Sequence, residues 1–154
     1  MKPRSRIAKF SFLLLLLSVT TVRSAEQNQR EFLLLINGQP FTLELALDPA
    51  QRSRGLMYRQ LLDERHGMLL VYPRTGTHYI WMKNVRFPLS VIWLDDTARV
   101  IDKRLLPPCV AAPCATYGVG RDSRFVLELA SSAFDLVQPG DRFASMLDYL
   151  PQAR

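Results

Sequence analysis

A short block in the middle of the chain, Ile80-Trp81-Met82-Lys83-Asn84, combines an aromatic ring, a cation and an amide. Because successive side chains of a strand point to opposite faces, Trp81 and Lys83 share one side, and Asn84 joins the apolar residues on the other. Lys83 offers a cationic donor to an anionic ligand, and Trp81 offers a stacking platform. The block therefore predicts a ligand-binding site; the competing interpretation is an exposed lysine beside a core tryptophan.

Histidine, the commonest acid–base residue, occurs only at His66 and His78. The sequence contains no Gly-x-Ser-x-Gly nucleophile elbow that either could serve. It also lacks the close ligand spacing of a zinc site, such as His-x-His or His-Glu-x-x-His. We therefore assign no catalytic residue, no metal ligand and no cofactor. An envelope enzyme of unknown reaction is the first alternative function.

Thioether and imidazole groups together suit copper(I), and this defines a second alternative. Met57, Met68 and Met82 could join the two histidines in such a site. The chain has no Met-x-x-Met repeat, however, and methionine is a common filler of apolar cores. Copper or other metal handling therefore stands below a binding function in our interpretation.

Cys109 and Cys114 are the only cysteines, and they flank a turn-like Val-Ala-Ala-Pro stretch. In an oxidising compartment, a close and even pair predicts a disulfide; a metal pair and free or redox-active thiols are the alternatives. Four residues separate the two cysteines, whereas a thioredoxin-type motif has two. This spacing disfavours redox catalysis.

The elements that must position these residues are mainly short strands. Asn37-Gly38, the strongest short hairpin signal, separates an apolar run at 32–36 from an alternating segment at 41–47. Short helices are predicted at 49–57, after a capping Asp48, and at 131–137. The further strand candidates are 68–72, 78–82, 89–94, 98–106, 125–129 and 142–147. About eight short strands with one or two short helices predict a single-domain, mostly β, sandwich or barrel-like fold.

Residues 1–24 have the three parts of a secretory signal peptide: a basic start, an apolar run from Phe10 to about Val22, and a small residue at Ser24. The apolar run is shorter than the roughly 20 residues that span a bilayer, although an uncleaved anchor is the alternative. We expect cleavage before Ala25, a single domain over 25–154, and export to the periplasm or extracellular space. Membrane contact is expected only through the signal before cleavage.

Loss of the signal changes the charge of the protein. The signal holds five of the 20 Lys and Arg residues and none of the 14 acids, which leaves 15 bases against 14 acids. The mature protein is therefore nearly neutral. It also lacks a Lys/Arg stripe with interleaved aromatic residues, so we expect no nucleic-acid partner.

Several segments resemble, in the same order, a prokaryotic family called domain of unknown function 192. They are Arg52-Ser-Arg-Gly-Leu-Met-Tyr-Arg59, Gly67-Met68-Leu69, Trp81-Met82-Lys83-Asn84, Pro88-Leu89, Val126-Leu127-Glu128-Leu129 and Gly140-Asp141. The resemblance covers about residues 30–148, and the cysteine pair with Pro113 and Tyr117 is similar to one branch of the family. It implies a compact, mostly β, sandwich-like fold and no particular activity. Ser90 departs from the family, in which Asp usually follows Pro-Leu, and this weakens an enzymatic interpretation.

Four polar residues in these segments are hard to explain by packing alone: Arg54, Lys83, Asn84 and Glu128. Arg54 could pair with Glu128 or Asp141 as a structural clamp, or the four could line one concave surface. Glu128 interrupts an apolar strand, where we expect it to face solvent.

The leading hypothesis is an exported, non-enzymatic binding or accessory protein of the cell envelope. It would hold a small polar or anionic ligand, or a segment of an envelope protein. The candidate binding residues are Arg54, Trp81, Lys83, Asn84 and Glu128.

Overall fold

The computed structural model describes residues 30–150, so the predicted signal at 1–24 lies outside the described residues. The strands are β1 (Glu31–Ile36), β2 (Gln39–Ala46), β3 (His66–Gly76), β4 (Ile80–Trp81), β5 (Leu89–Leu94), β6 (Val100–Leu106), β7 (Thr116–Tyr117) and β8 (Ser123–Ala130). One α-helix, α1 (Pro49–Arg54), and two 3₁₀ helices (Ser131–Leu136 and Ala144–Tyr149) accompany them. Across residues 30–150, no helix has the length and apolarity needed to cross a membrane.

Six strands form one sheet in the order β1-β2-β3-β8-β5-β6, and β4 pairs with β7 in a second, two-stranded sheet. The β2–β3 pair is parallel, and the other neighbours are antiparallel. The prediction of a mostly β fold with about eight strands is confirmed. The larger sheet is open, with β1 and β6 at its edges, so the fold is not a closed barrel.

The Asn37-Gly38 hairpin forms as predicted. Ile36 pairs with Gln39 across the turn, and the two central residues have φ values of 47° and 75°. A two-residue turn with positive φ at both central positions matches the twist of the flanking strands, and Asn-Gly tolerates this backbone well. This turn fixes the register that buries Phe32, Leu34 and Ile36 on one face of β1.

The central strand of the larger sheet is β8, which lies between β3 and β5. Apolar residues cover the sheet on both faces of this strand. Phe125, Leu127 and Leu129 pack with the two 3₁₀ helices on one face. Val126 packs on the other face, with the segment that follows α1 and with the β4 region. This second face carries the candidate site.

Several predicted elements have other bounds or another type in the structure. Predicted strand 142–147 makes only one bridge, Arg99 with Arg142; Phe143 then leaves the extended region and a 3₁₀ helix follows. The strand at 78–82 shortens to β4 because the Val85 N–H bonds the Met82 carbonyl in a turn. Helix α1 stops at Arg54 because Gly55 adopts a φ of 47° that ends the helix. The helix predicted at 131–137 is a 3₁₀ helix.

Candidate functional site

The Trp81 block is held at the surface by the small sheet. Ile80 pairs with Tyr117 and Trp81 with Thr116, so β7 fixes the orientation of β4. Ile80 is buried while the Trp81 side chain is 40% exposed. Lys83 Nζ lies 5.0 Å from the centroid of the Trp81 ring, which confirms that these two side chains share one side. The arrangement is a cation–π contact that is open to solvent.

Asn84 does not follow the strand alternation. The chain turns after Met82, and Asn84 has a positive φ of 58° and an exposed side chain. Its Nδ2 donates to Tyr58 Oη over 2.9 Å, and its carbonyl accepts from the Tyr58 N–H over 2.9 Å. The expectation that Asn84 joins Ile80 and Met82 was therefore wrong, because the strand has already ended.

This turn brings Trp81, Lys83 and Asn84 to one shallow pocket of about 430 Å³, which we call the loop pocket. Its other wall is the 109–114 loop, closed by the predicted Cys109–Cys114 disulfide with an S–S distance of 2.06 Å. The same loop connects β6 to β7, whose pairing holds β4. The disulfide therefore belongs to the framework that positions Trp81.

A second pocket, of about 340 Å³, lies on the other side of Trp81. We call it the Glu128 pocket, and its wall includes Arg54, Trp81 and Glu128. Strand β3 contributes Leu70 and Tyr72 to its wall, because these residues share the face of Met68. The candidate residues from the sequence are thus divided between two adjoining pockets that have Trp81 in common.

Glu128 is buried, with 5% exposure, and the expectation that it faces solvent was wrong. Residues two apart on a strand share a face, so Glu128 lies on the covered face with Val126. Its Oε2 atom has no hydrogen-bond partner among residues 30–150. Burial raises the pKa of the Glu128 carboxyl to about 7, and the Arg59 charge opposes the rise. An acid in this state accepts or donates a hydrogen bond readily when a ligand arrives.

Gly55 makes room for this carboxyl. A β-carbon on Gly55 would lie 3.3 Å from Glu128 Oε2, and the φ of 47° with ψ of −134° is a conformation that suits glycine. The backbone at the end of α1 therefore lies directly against the carboxyl group. Gly55 itself lines the Glu128 pocket.

Arg59, the nearest compensating cation, is already engaged. Its Nη1 and Nη2 atoms donate to the two carboxylate oxygens of Glu44, at 2.5 and 2.7 Å. This hydrogen bonding with Glu44 is the main reason why the Arg59 pKa is raised. This two-pronged pair uses both terminal nitrogens of the Arg59 guanidinium. Glu128 Oε2 therefore has no hydrogen-bond partner among residues 30–150.

The proposed clamp from Arg54 to Glu128 or Asp141 does not form. Between residues 30 and 150 the ion pairs are Arg59–Glu44 and His66–Asp63, the second with a 3.6 Å separation. Asp141 instead accepts from the Gln138 N–H over 2.7 Å. Arg54 is exposed at the pocket wall, where its guanidinium is available to a ligand.

Sequence reasoning missed the residues that shape this wall. Arg52 Nη1 donates to the carbonyls of Leu47 and Val71, at 2.7 and 2.9 Å, and its guanidinium lies 5.2 Å from the centroid of the Tyr72 ring. Tyr72 and Tyr79 add two aromatic groups beside Trp81. An arginine two residues before Arg54 on a short helix was a detectable signal, but one of its carbonyl partners, Val71, is 19 positions away in the sequence.

The two histidines do not assemble a catalytic pair. His66 lies beside Asp63 at the surface, whereas the His78 ring stacks on Tyr72 with 3.4 Å between centroids. Burial lowers the pKa of His78. Within the described part of the chain, no three His, Cys, Asp or Glu residues converge as a metal site. Met68 and Met82 are buried core residues, as a packing role requires.

Ser90, at the position where the family usually has Asp, does not line the Glu128 pocket. It alternates with Val91 and Trp93 and therefore faces the opposite side of β5. Its Oγ donates to the Ser131 carbonyl over 3.2 Å. Ser90 is therefore not part of the wall of the Glu128 pocket.

Comparison with known proteins agrees with this fold. A solved structure from Sinorhizobium meliloti 1021, provisionally described as a transcription regulator, is 33% identical with a TM-score of 0.63; the match covers 74% of this chain and 90% of that one. A protein of unknown function from Novosphingobium aromaticivorans DSM 12444 is 26% identical with a TM-score of 0.61, over 71% of this chain and 79% of that one. No curated protein matches. Residues 32–145 match DUF192, described as an uncharacterized ACR, and the chain therefore belongs to this family.

Proposed function

We propose that this protein is an exported, non-enzymatic binding domain of the cell envelope that holds a small polar ligand in the Glu128 pocket. One observation carries the proposal: Glu128, a buried acid whose Oε2 atom has no hydrogen-bond partner among residues 30–150, lines a pocket of about 340 Å³. Buried polar groups are nearly always hydrogen-bonded, and each exception calls for an explanation. A ligand that bonds to Glu128 supplies one.

The buried Glu128 carboxyl also has a cost in stability. An unsatisfied buried polar group costs about 1–3 kcal/mol of stability, and more when it is charged. A leucine at position 128 would continue the apolar face of Val126 without that cost. An acid at this position lowers the stability of the fold, and a binding role explains its presence, as at other functional sites.

The loop pocket supports recognition of a second group on the same ligand or of a segment from an envelope protein. Lys83 provides a cation beside the Trp81 ring, and Asn84 adds an exposed side-chain amide whose Nδ2 atom is bonded to Tyr58. An anionic group would contact Lys83 while stacking on Trp81. Because both pockets contain Trp81, a ligand in either one would contact this ring.

The proposed location rests on the amino-terminal segment and on the cysteines. Residues 1–24 have the composition of a signal peptide. A disulfide between Cys109 and Cys114 agrees with an oxidising compartment outside the cytoplasm. The description of the Sinorhizobium relative as a regulator would imply a nucleic-acid partner, but the near-neutral mature chain favours a small molecule or protein.

An envelope enzyme is the second candidate, because a carboxyl with a pKa of about 7 suits general acid–base chemistry. Catalysis would also need a nucleophile or a second acid–base group beside Glu128. Glu44, which like Glu128 interacts electrostatically with Arg59, is already bonded to this arginine. The geometry therefore supports binding better than turnover.

Mass spectrometry of the protein purified from its own envelope tests the proposal. The wild type is expected to retain a small molecule that E128L loses, whereas E64Q, at an exposed acid, retains it. Intact mass in the same measurement gives the amino terminus and the oxidation state of the cysteines. Absence of any retained molecule from both wild type and E64Q, together with no binding in the experiments below, would rule out this function.

A further inference from the structure

The charges of the Glu128 pocket are separated by depth. Glu128 lies in the covered face of the sheet, whereas Arg54 is exposed at the pocket wall. Arg52, half-buried, is fixed by its bonds to two backbone carbonyls. The pocket thus offers a negative or acidic group at its base and an unengaged cation near its mouth.

Within residues 30–150, no cation forms an ion pair with the Glu128 carboxyl. The charge of Arg59 lowers the Glu128 pKa, but Glu44 holds the Arg59 guanidinium. On α1, Arg52 bonds to two backbone carbonyls, and Arg54 is exposed.

Among residues 30–150, the other elements packed around Glu128 contribute no cation to the wall of its pocket. On β3, Met68 is its register partner, and the ionisable residues on the face of Met68 include His66 and Tyr72. Burial and the Glu128 charge both raise the Tyr72 pKa. On β5 the partner is apolar Val91, and β4 and β7 contribute uncharged Trp81 and Thr116 to the pocket wall. An ionised Glu128 therefore has no bonded cation to balance its negative charge within residues 30–150.

Aromatic groups line the path between the two ends. Tyr72, Tyr79 and Trp81 all belong to the pocket wall. The faces of such rings attract cations, and their edges and faces also accept apolar chains. A charged group entering toward Glu128 would therefore pass surfaces that favour an ammonium over a carboxylate.

We propose that the ligand of the Glu128 pocket is a small zwitterion of the amino-acid class, whose ammonium group bonds to Glu128 and whose carboxylate bonds to Arg54. This inference rests on the proposed function and specifies the chemistry of its ligand. An ammonium supplies a positive charge and hydrogen-bond donors to the buried Glu128 carboxyl, which lines this pocket. A carboxylate matches the guanidinium in two-pronged geometry. The pocket, at about 340 Å³, is at the small end of ligand sites.

This arrangement makes binding depend on pH. An amino acid carries its ammonium between pH 6 and pH 8, whereas Glu128 ionises across this interval. Affinity for the zwitterion therefore rises as the pH is raised, by up to about tenfold for each pH unit below the Glu128 pKa. The E128Q variant, which keeps the shape but does not ionise, is expected to show no such rise.

The test is ligand-observed NMR on the full mature protein, stripped of retained molecules, with pools of the twenty common amino acids. Each amino acid that binds is compared with its amide, which lacks the carboxylate, and with its N-acetyl form, which lacks the ammonium. Both analogues are expected to bind at least tenfold more weakly to the wild type. E64Q serves as the control and is expected to behave as the wild type.

Two variants assign the two ends of the ligand. With E128Q, the N-acetyl form is expected to bind as well as the free amino acid, since the partner of the ammonium is gone. With R54Q, the amide is expected to bind as well as the free amino acid. Circular dichroism of each variant verifies folding, and R74Q, at an exposed arginine of β3, controls for loss of a charge.

Two results would overturn the inference. Binding of none of the amino acids at 10 mM would do so, as would equal binding of all three forms by the wild type. Either result leaves the proposed function standing if the natively purified protein carries another polar molecule that E128L loses. An empty native protein, together with no binding of any amino acid, rules out both the inference and the proposed function.

Discussion

Gly55 lies directly against the carboxyl group of Glu128: a β-carbon at residue 55 would be 3.3 Å from Oε2. The two residues are 73 positions apart in the sequence, since one ends a short helix and the other lies in the central strand. Their contact closes one side of the pocket over a buried acid. Because the positive φ of Gly55 and the Glu128 carboxyl meet at this contact, substitutions at the two positions can test it.

The G55A variant is expected to lose about 1–3 kcal/mol of unfolding free energy, because alanine adopts this backbone conformation poorly. Part of the loss comes from the contact with Glu128. The cost of G55A is therefore expected to fall in an E128A background, with a coupling of about 0.5–3 kcal/mol between the sites. Urea denaturation of the four proteins measures it.

G120A is the matched control for G55A. Gly120 also has a positive φ, 64°, but an added β-carbon would have no neighbour within 4 Å. Its cost should be the same with or without Glu128. Additive effects of G55A and E128A would show that the two residues do not interact.

Glu128 is expected to make the protein more stable in mildly acidic solution. Its pKa is 4.5 in the unfolded chain and about 7 in the fold, so only the folded state holds the proton between these values. The unfolding free energy contributed by this group therefore increases as the pH falls from 7 to 4.5, by about 3 kcal/mol in total. The difference between wild type and E128Q, measured by urea denaturation across this interval, isolates the effect from other titrating groups. A pH-independent difference would contradict it.

Arg59 tunes the Glu128 carboxyl from a distance. Replacing it in R59M removes a positive charge that lowers the Glu128 pKa, and keeps most of the apolar stem. The Glu128 pKa is then expected to rise above its wild-type value of about 7. Carbon-13 NMR of the glutamate carboxyls, titrated with pH, measures the change.

R65M is the control for R59M, since Arg65 is exposed. It removes the same charge from the protein but not from the neighbourhood of Glu128. An equal pKa in R59M and R65M would mean that Arg59 exerts no specific influence.

The disulfide is expected to stabilise the β4–β7 sheet. Closing a loop of this length contributes about 2 kcal/mol in the chain-entropy model. The C109S/C114S variant should therefore be less stable by about this amount. It should also change the fluorescence of exposed Trp81 while leaving that of buried Trp93 unchanged. The W81F variant removes the Trp81 signal and identifies which tryptophan responds; a response that persists in W81F would count against the local role of the loop.

Local patterns were sufficient for much of the fold. The Asn37-Gly38 turn, the strands on either side of it and the Cys109–Cys114 disulfide depend on residues close in the sequence, and all three are present. The ordered motifs correctly indicated the family. The 142–147 segment was harder, because its alternation resembles a strand while its only strand-like pairing is one bridge to Arg99.

The candidate site was predictable only in its composition. The sequence singled out Arg54, Trp81 and Glu128, but it did not indicate that Glu128 is buried. Burial follows from β8 lying between β3 and β5 with both faces covered, which is a property of the topology. The engagement of Arg59 by Glu44 likewise depends on β2 and on the loop after α1 meeting in space.

The central claim is that an acid without a protein partner lies buried at the base of a pocket. Carbon-13 NMR titration of the Glu128 carboxyl in the stripped mature protein, assigned with E128Q, tests it most directly. A pKa of about 7 is the predicted result. A pKa at or below 4.5 would show that the carboxyl is solvated or paired, and would contradict the account.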